Sequence, residues 1–110
     1  MANAFKNKTH KEIGTSLTAI EGYACPSSTE TTIIGLTIAN RTASVILVDA
    51  TLNDTSNDFY IVKDAPVPAG GTLVLVGGDQ KIVLMPTDSI KIKSDTAASA
   101  DAIMSILEIS

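Results

Sequence analysis

The stretch TTIIGLTIANRTASVILVDATLN, residues 31–53, decides the fold class. In its first part, alternate positions put Ile34, Leu36 and Ile38 on one side of an extended chain. The second part, 44–53, alternates in the same way after a polar stretch short enough for a hairpin. A period of two over two neighbouring segments predicts antiparallel strands, each with one face buried in a core.

The same period recurs in DFYIVK (58–63) and SIKIKSD (89–95), and two short apolar runs, LVLV (73–76) and IVLM (82–85), lie between Gly, Pro and Asx-rich turns. The alternation of DFYIVK sends Phe59 and Tyr60 to opposite faces. With an early strand over 16–24 and a last one over 101–109, the total is about eight strands. We therefore predict an all-β fold, an antiparallel β-sandwich of the jelly-roll or immunoglobulin-like type.

The two ends of the chain are harder to assign. TAASADAIMSIL (96–107) contains good helix formers, but its apolar residues also alternate, which favours a C-terminal edge strand over a helix. Residues 1–12 show no sustained pattern and predict an extended N-terminal arm, so that 13–110 forms the sandwich domain.

The amino-acid composition narrows the range of functions that the protein could have. Aromatic residues make up 4% of the 110 residues and Trp is absent, which disfavours a base-stacking or sugar-binding platform. The net charge of −4 disfavours nucleic acid as a partner, because phosphate contacts need clustered Lys and Arg. One cysteine, no signal-peptide pattern and no long apolar run lead us to expect synthesis in a reducing cytoplasm without a membrane partner.

Candidate catalytic and metal-binding residues are few. His10 is the only histidine and is predicted to lie in the arm, so it gives Cys25 no rigid base, and we expect Cys25 to be a buried thiol. The Asx-rich segment NDTSND (53–58) lacks the order of a calcium loop and is typical of a turn. Asp49 falls on a predicted outward face, which predicts a solvated carboxylate. We therefore expect no catalytic residue, metal or cofactor, and no enzymatic role.

Two glycine pairs occur in PVPAGGTLVLVGGDQKIVL, residues 66–84. Neither has the spacing or the following helix of a phosphate-binding loop, so we predict two turns, the second of which reverses the chain. The strand between them, 73–76, is apolar on both faces. A two-layer domain of this size cannot cover both faces of such strands with its own chain, so either the strand lies centrally under loops or one of its faces meets another subunit.

Several segments resemble a family of small virion proteins of tailed bacteriophages, including phages of marine bacteria. The resemblance lies in the start MANAFKNK, in YACP and TTIIGLTIAN, and in the turns VPAG (67–70) and PTDSI (86–90), with SILEI (105–109) near the end. Ser89 departs from the family, in which Gly-Asp is common near this turn. The resemblance implies a β-sandwich structural subunit of the particle without enzymatic activity.

This resemblance leads us to expect a homo-oligomeric structural protein that binds other virion proteins, as a capsid decoration or as a neck or tail component. We expect Phe5 to anchor the arm and Lys6, Lys8 and Lys11 to contact acidic neighbours. The alternative is a receptor- or glycan-binding module of a phage tail, which needs exposed aromatic residues grouped together.

Overall fold

The computed structural model describes residues 3–77 and 81–110. They form nine strands in two antiparallel sheets packed face to face, which confirms the all-β sandwich. The strands are β1 (Asn3–Ile13), β2 (Thr18–Ala19), β3 (Glu30–Asn40), β4 (Ile46–Asn53), β5 (Asp58–Val67), β6 (Thr72–Val76), β7 (Ile82–Leu84), β8 (Ser89–Ser94) and β9 (Ala100–Ile109). No helix in this described part is long and apolar enough to cross a bilayer.

The five-stranded sheet has the order β1-β9-β3-β6, and β7 also pairs with β3. The four-stranded sheet has the order β2-β8-β4-β5. The strands β6 and β7 lie end to end along β3, because β6 pairs with its second half and β7 with its first half. Both are antiparallel to β3 and so run in the same direction. Gly77 therefore ends β6 as predicted, but the predicted chain reversal there is wrong; Gly78 lies outside the described residues.

The core lies between the two sheets and consists mainly of aliphatic side chains, together with Met104, Cys25 and Tyr23. Its largest fully buried members include Ile33, Leu36, Ile38, Ile46, Val48, Leu84, Ile90, Ile92, Met104 and Ile106. The alternation predicted for β4 and β8 is confirmed, since Ile46, Val48, Ile90 and Ile92 all point inward.

β-Bulges shift the faces of other strands. In β3 the pairing with β9 skips Ile34, so Ile33 and Leu36 both point inward and Ile34 is only half-buried. The predicted placement of Ile34 on the same face as Leu36 and Ile38 is therefore wrong, because the extra residue of a bulge interrupts the alternation of inward and outward side chains. A second bulge, in β6, lies between Val76, which is buried, and Val74, which is 61% exposed.

The ends of the chain differ from the sequence-based expectation. Residues 100–109 form a strand, as favoured, but β9 lies between β1 and β3 and is not an edge strand. The predicted arm is held in the fold: β1 pairs with β9 from Asn3 to Ile13 and is itself the edge of the sheet. The strand predicted over 16–24 is reduced to β2, which is followed by a 3₁₀ turn, Ile20–Gly22.

Two buried polar side chains hold the loops. The Asn40 side chain donates from Nδ2 to the carbonyl oxygens of Ser44, Val67 and Pro68 at 2.7, 3.0 and 3.1 Å. Asn40 thus ties the end of β3 to the loop before β4 and to the end of β5.

Asp49 is 3% exposed, so its predicted solvated position is wrong. Its Oδ1 accepts the backbone N–H of Asp64 at 2.7 Å within a bulge of β5, and Lys93 Nζ lies 3.7 Å from its Oδ2. A buried carboxylate needs such partners.

Candidate interaction surface

The outer face of the five-stranded sheet, which points away from the core, is apolar over much of its area. One row of directly paired residues runs across it from Phe5 on β1 through Leu107 and Thr32 to Val83 on β7. Phe5 is 77% exposed and Val83 is 51% exposed. The side chains between the exposed ends of this row are uncharged.

A second row crosses the same face near the other end of the strands. It runs from Thr9 through Ile103 and Thr37 to Val74. Ile103 is 53% exposed, and Val74 is more exposed still. Between the two rows lie the small residues Ser105 and Gly35, which leave a shallow depression beside Phe5.

The outer face of the four-stranded sheet has a different chemistry. One row there runs from Tyr60 through Thr51 and Lys91 to Ala19. The pair Asp49 and Lys93 lies beside it. Thr51 and Asp49 are buried within this face, whereas Tyr60 and Leu47 are exposed on it. The outer face of the four-stranded sheet is therefore mixed in chemistry, whereas that of the five-stranded sheet is apolar over a larger area and has the character of a binding surface.

The structure separates the four residues predicted to bind partners into two groups. Phe5 and Lys11 are exposed residues of β1, and Phe5 lies on the apolar outer face. Lys6 and Lys8 point to the other side of β1, toward the four-stranded sheet. Lys6 Nζ lies 2.8 Å from Glu108 Oε1, and Lys8 Nζ lies 3.4 Å from Glu21 Oε2.

Lys6 and Lys8 belong to a polar cluster that closes the sandwich beneath β1. The Tyr23 hydroxyl donates to Glu108 Oε2 at 2.6 Å and lies 2.8 Å from the Thr31 hydroxyl, while Lys8 Nζ lies 5.1 Å from the centre of the Tyr23 ring. Both lysines therefore have acidic or aromatic partners within their own chain. Their predicted contacts with acidic neighbours would compete with these internal ones.

Electrostatics agrees with the geometry of this cluster. The hydrogen bonds from Lys6 and then Tyr23 lower the pKa of Glu108 below its ordinary value, so Glu108 is a carboxylate near neutral pH. Burial, followed by the hydrogen bond to Glu108, raises the pKa of Tyr23 well above that of a free phenol. Tyr23 therefore remains a neutral donor, and the cluster fixes β1 rather than supplying a reactive group.

The residues considered for catalysis or metal binding have structural roles. Cys25 is 2% exposed, as expected for a buried thiol, and its sulfur accepts a hydrogen bond from the Thr31 hydroxyl at 3.2 Å. His10 Nδ1 accepts the backbone N–H of Glu21 at 3.1 Å. Within residues 3–77 and 81–110 no group of three or more His, Cys, Asp or Glu side chains could hold a metal ion.

The Asx-rich segment after β4 is a turn, as predicted. Asp54 Oδ1 accepts the backbone N–H groups of Ser56 and Asn57 at 3.0 and 2.7 Å. The first glycine pair also lies in a turn, since Gly71 N–H donates to the Pro68 carbonyl at 2.8 Å and Gly70 has a φ of 66°. That positive φ explains why glycine is needed at position 70.

The edge strand β5 carries two aromatic residues that are adjacent in sequence, and both are exposed. Phe59 and Tyr60 on β5 are 54% and 53% exposed. Tyr60 pairs with Thr51 and Phe59 with Leu52 in unbroken register, so the two side chains lie on opposite faces of β5, as predicted; the bulge at Ile61 follows them. Lys63 Nζ lies 5.1 Å from the centre of the Tyr60 ring.

Comparisons with known proteins show that the fold of this chain is similar to that of chains in solved structures. No family model matches the chain, and no curated protein matches it. Among solved structures, a chain from the acid-stable capsid structure of Helicobacter pylori bacteriophage KHP30 superposes with a TM-score of 0.58 at 8% identity, covering 100% of this chain and 94% of that one. A chain from Bacillus endospore appendages, described as disulfide-linked pili, superposes with a TM-score of 0.52 at 12% identity, covering 99% and 87%.

Proposed function

We propose that this protein is a structural subunit of a tailed-phage virion, present in many copies, that binds neighbouring particle proteins through its N-terminal strand and the apolar outer face of its five-stranded sheet. The observation that carries the proposal is the contrast between the two outer faces. Phe5, Val74, Val83 and Ile103 are each more than half exposed on one sheet, whereas the middle of the other sheet carries Lys91 and the ion pair between Lys93 and Asp49, and its exposed apolar side chains lie toward the β5 edge. A subunit with one apolar face is suited to a fixed position against another protein.

Two further observations support this role. Segments of the sequence, among them TTIIGLTIAN and SILEI, resemble small virion proteins of tailed phages. The same fold occurs in a chain of a phage capsid structure and in a chain of bacterial pili, both of which are repeated assemblies. At 8% and 12% identity these neighbours establish the fold alone, so the surface chemistry carries the functional argument.

Within the particle we propose a position as a capsid decoration or as a component of the neck or tail. Binding would be mechanical, without enzymatic activity or cofactor and without nucleic acid or membrane as partner, and many weak contacts would add through multivalency. Cross-linking through cysteine, as in the disulfide-linked appendages, is disfavoured because the single cysteine of this chain, Cys25, is buried.

Mass spectrometry of purified particles tests this function. We expect peptides of the chain at a constant ratio to the major capsid protein through successive density-gradient steps. A chain that is made during infection but is absent from purified particles, or that washes away as the particles become purer, would overturn the structural role.

The exposed pair Phe59 and Tyr60 favours one second candidate, a glycan- or receptor-binding module of a tail. Exposed aromatic rings at the edge of a sheet can pack against sugar rings. Binding of the isolated protein to host surface polysaccharide, lost in the double variant Phe59→Ser/Tyr60→Ser and retained in Val45→Ser, would favour this candidate. Val45 is a matched control because it is 59% exposed and lies outside β5.

A further inference from the structure

The four edges of the two sheets differ in how well they are protected against an added strand. β5 carries bulges and Pro66, β2 has two residues, and β6 and β7 have five and three. These features are ways in which proteins block edge-to-edge pairing. β1 is different, because it has 11 residues and pairs with β9 in unbroken register from Asn3 to His10.

The outward backbone groups of β1 can be assigned from one hydrogen bond. Thr9 donates its backbone N–H to Glu21 Oε1 at 3.3 Å, so this N–H points away from β9. In an antiparallel ladder the outward-pointing residues alternate. Asn3, Phe5 and Asn7 therefore also direct their N–H and C=O groups to the outer edge, while Glu21 blocks that edge at Thr9.

We propose that the edge of β1 pairs antiparallel with β1 of a second copy of this chain, across a two-fold axis at Phe5. Each Phe5 then lies opposite the other, and Asn3 of one copy lies opposite Asn7 of the second copy. All three outward-pointing residues of each strand exchange hydrogen bonds, and pairing stops before Glu21. The symmetry is that of an isologous dimer, in which each copy uses the same surface.

Charge selects this register over those centred further along β1. Centring on Phe5 places Ala4 opposite Lys6 of the second copy, so these lysines are not directly opposed. A two-fold axis at Lys6 would place the two Lys6 side chains opposite each other. An axis at Asn7 would place Lys6 opposite Lys8, and it would also need the Thr9 N–H, which already donates to Glu21. Like charges directly opposite each other destabilise a strand pair, whereas two Phe5 rings opposite each other stabilise it.

This pairing extends the proposed function by naming one partner of the chain, a second copy of itself. The role of the dimer in the particle rests on the proposed function. The two five-stranded sheets become one continuous sheet, and their apolar outer faces become one larger surface centred on the paired Phe5 rings. A strand about 4.8 Å from its neighbour keeps the two faces in one plane, apart from the twist of the sheet. The dimer would then present a doubled surface to the particle.

Cysteine pairs test the register directly. Directly opposed Cα atoms in such a pair lie about 5.5 Å apart, within the range of about 4.4–6.8 Å that a disulfide requires. Under mild oxidation we expect two copies of the Phe5→Cys variant to form a disulfide with each other. We also expect a tagged Asn3→Cys copy to form a disulfide with an untagged Asn7→Cys copy, whereas Asn7→Cys on its own should remain unlinked. The wild-type protein, whose Cys25 is buried, is the control. Failure of Phe5→Cys to link, or self-linking of Asn7→Cys to the same extent, would overturn the proposed pair.

Analytical ultracentrifugation with a proline variant tests the backbone contacts. Asn7→Pro removes an outward N–H without touching the bonds to β9, a position where edge strands accept proline. We expect the wild type and the Asn7→Thr control to dimerise and Asn7→Pro to be a monomer whose far-UV circular dichroism shows that it is folded. A wild-type monomer at high concentration would overturn the pairing but not the particle role, whereas absence of the chain from purified particles would overturn the particle role but not the pairing.

Discussion

The double substitution Val74→Lys/Ile103→Lys probes the apolar outer face most sharply. Both residues lie directly opposite Thr37, on either side of β3, so the change puts two charges in the middle of the second row. Both side chains are more than half exposed, and neither belongs to the buried core. The fold should therefore tolerate the change, with an altered free energy of unfolding of about 0.5 kcal/mol or less per site.

The expected loss of binding is calculated from the exposed fractions. Full burial of a Val or Ile side chain contributes about 1.5–3 kcal/mol. Because Val74 is 61% exposed and Ile103 is 53% exposed, covering both contributes roughly 2–3 kcal/mol. Losing that contribution weakens binding about 30- to 150-fold, and two unpaired ammonium groups in an interface weaken it further.

A binding assay with particles that lack the chain measures this effect. Purified wild-type and variant proteins are added back, and the bound copies are counted after sedimentation. Val45→Lys is the control, because it adds one lysine at an equally exposed apolar position outside the five-stranded sheet. If the double variant is folded and binds as well as Val45→Lys does, the outer face is not the binding surface.

Three further predictions concern the fold that presents this surface. Asn40→Asp should lower the free energy of unfolding, measured in urea, by about 3–5 kcal/mol, because a carboxylate would face three carbonyl oxygens in a buried site. The control is Asn57→Asp at an exposed position, and an equal loss of stability in both variants would contradict the role assigned to Asn40. Asp49→Ala should cost about 1.5–3 kcal/mol by losing a charge-assisted bond to the β5 bulge, and an unchanged midpoint would show that the bulge does not depend on it. The lowered pKa of Glu108 means that its ion pair with Lys6 stabilises the fold above pH 4.5 and is lost as the pH falls through the lower folded value. The protection factors of the β1 amides beside Lys6, which are corrected for the intrinsic pH dependence of exchange, should fall in acid in the wild type. Glu108→Gln should reduce that fall, and the remainder comes from Glu21, whose pKa is also lowered, first by the hydrogen bond from Thr9; an unreduced fall in the variant would refute the assignment.

The regular parts of the sandwich could be predicted from the sequence because alternation alone determines them. The KIK pattern of β8 and the aliphatic positions of β4 have a strict period of two, and their inward residues are as predicted. Bulges are invisible to such a pattern. The extra residues Ile34 in β3 and Ile61 in β5 each move the later residues of their strand to the opposite face, and cross-strand pairing determines where these bulges lie.

The N-terminal strand could not be recognised because its inward positions are polar. Lys6 and Lys8 occupy positions where an apolar residue would have signalled a strand, and their cost is offset by Glu108 and Glu21, which are distant in sequence. Asn40 and Asp49 were missed for a related reason. A buried amide or carboxylate is recognised by the partners that it satisfies, and those partners come from other strands and loops.

A particle reconstruction that locates the chain tests the central claim most directly. The account predicts that the outer face with Phe5, Val74 and Ile103 is covered by a neighbouring particle protein, while the Lys91 and Lys93 face of the other sheet is open to solvent. A reconstruction in which the apolar face is open to solvent and the charged face is buried would contradict it.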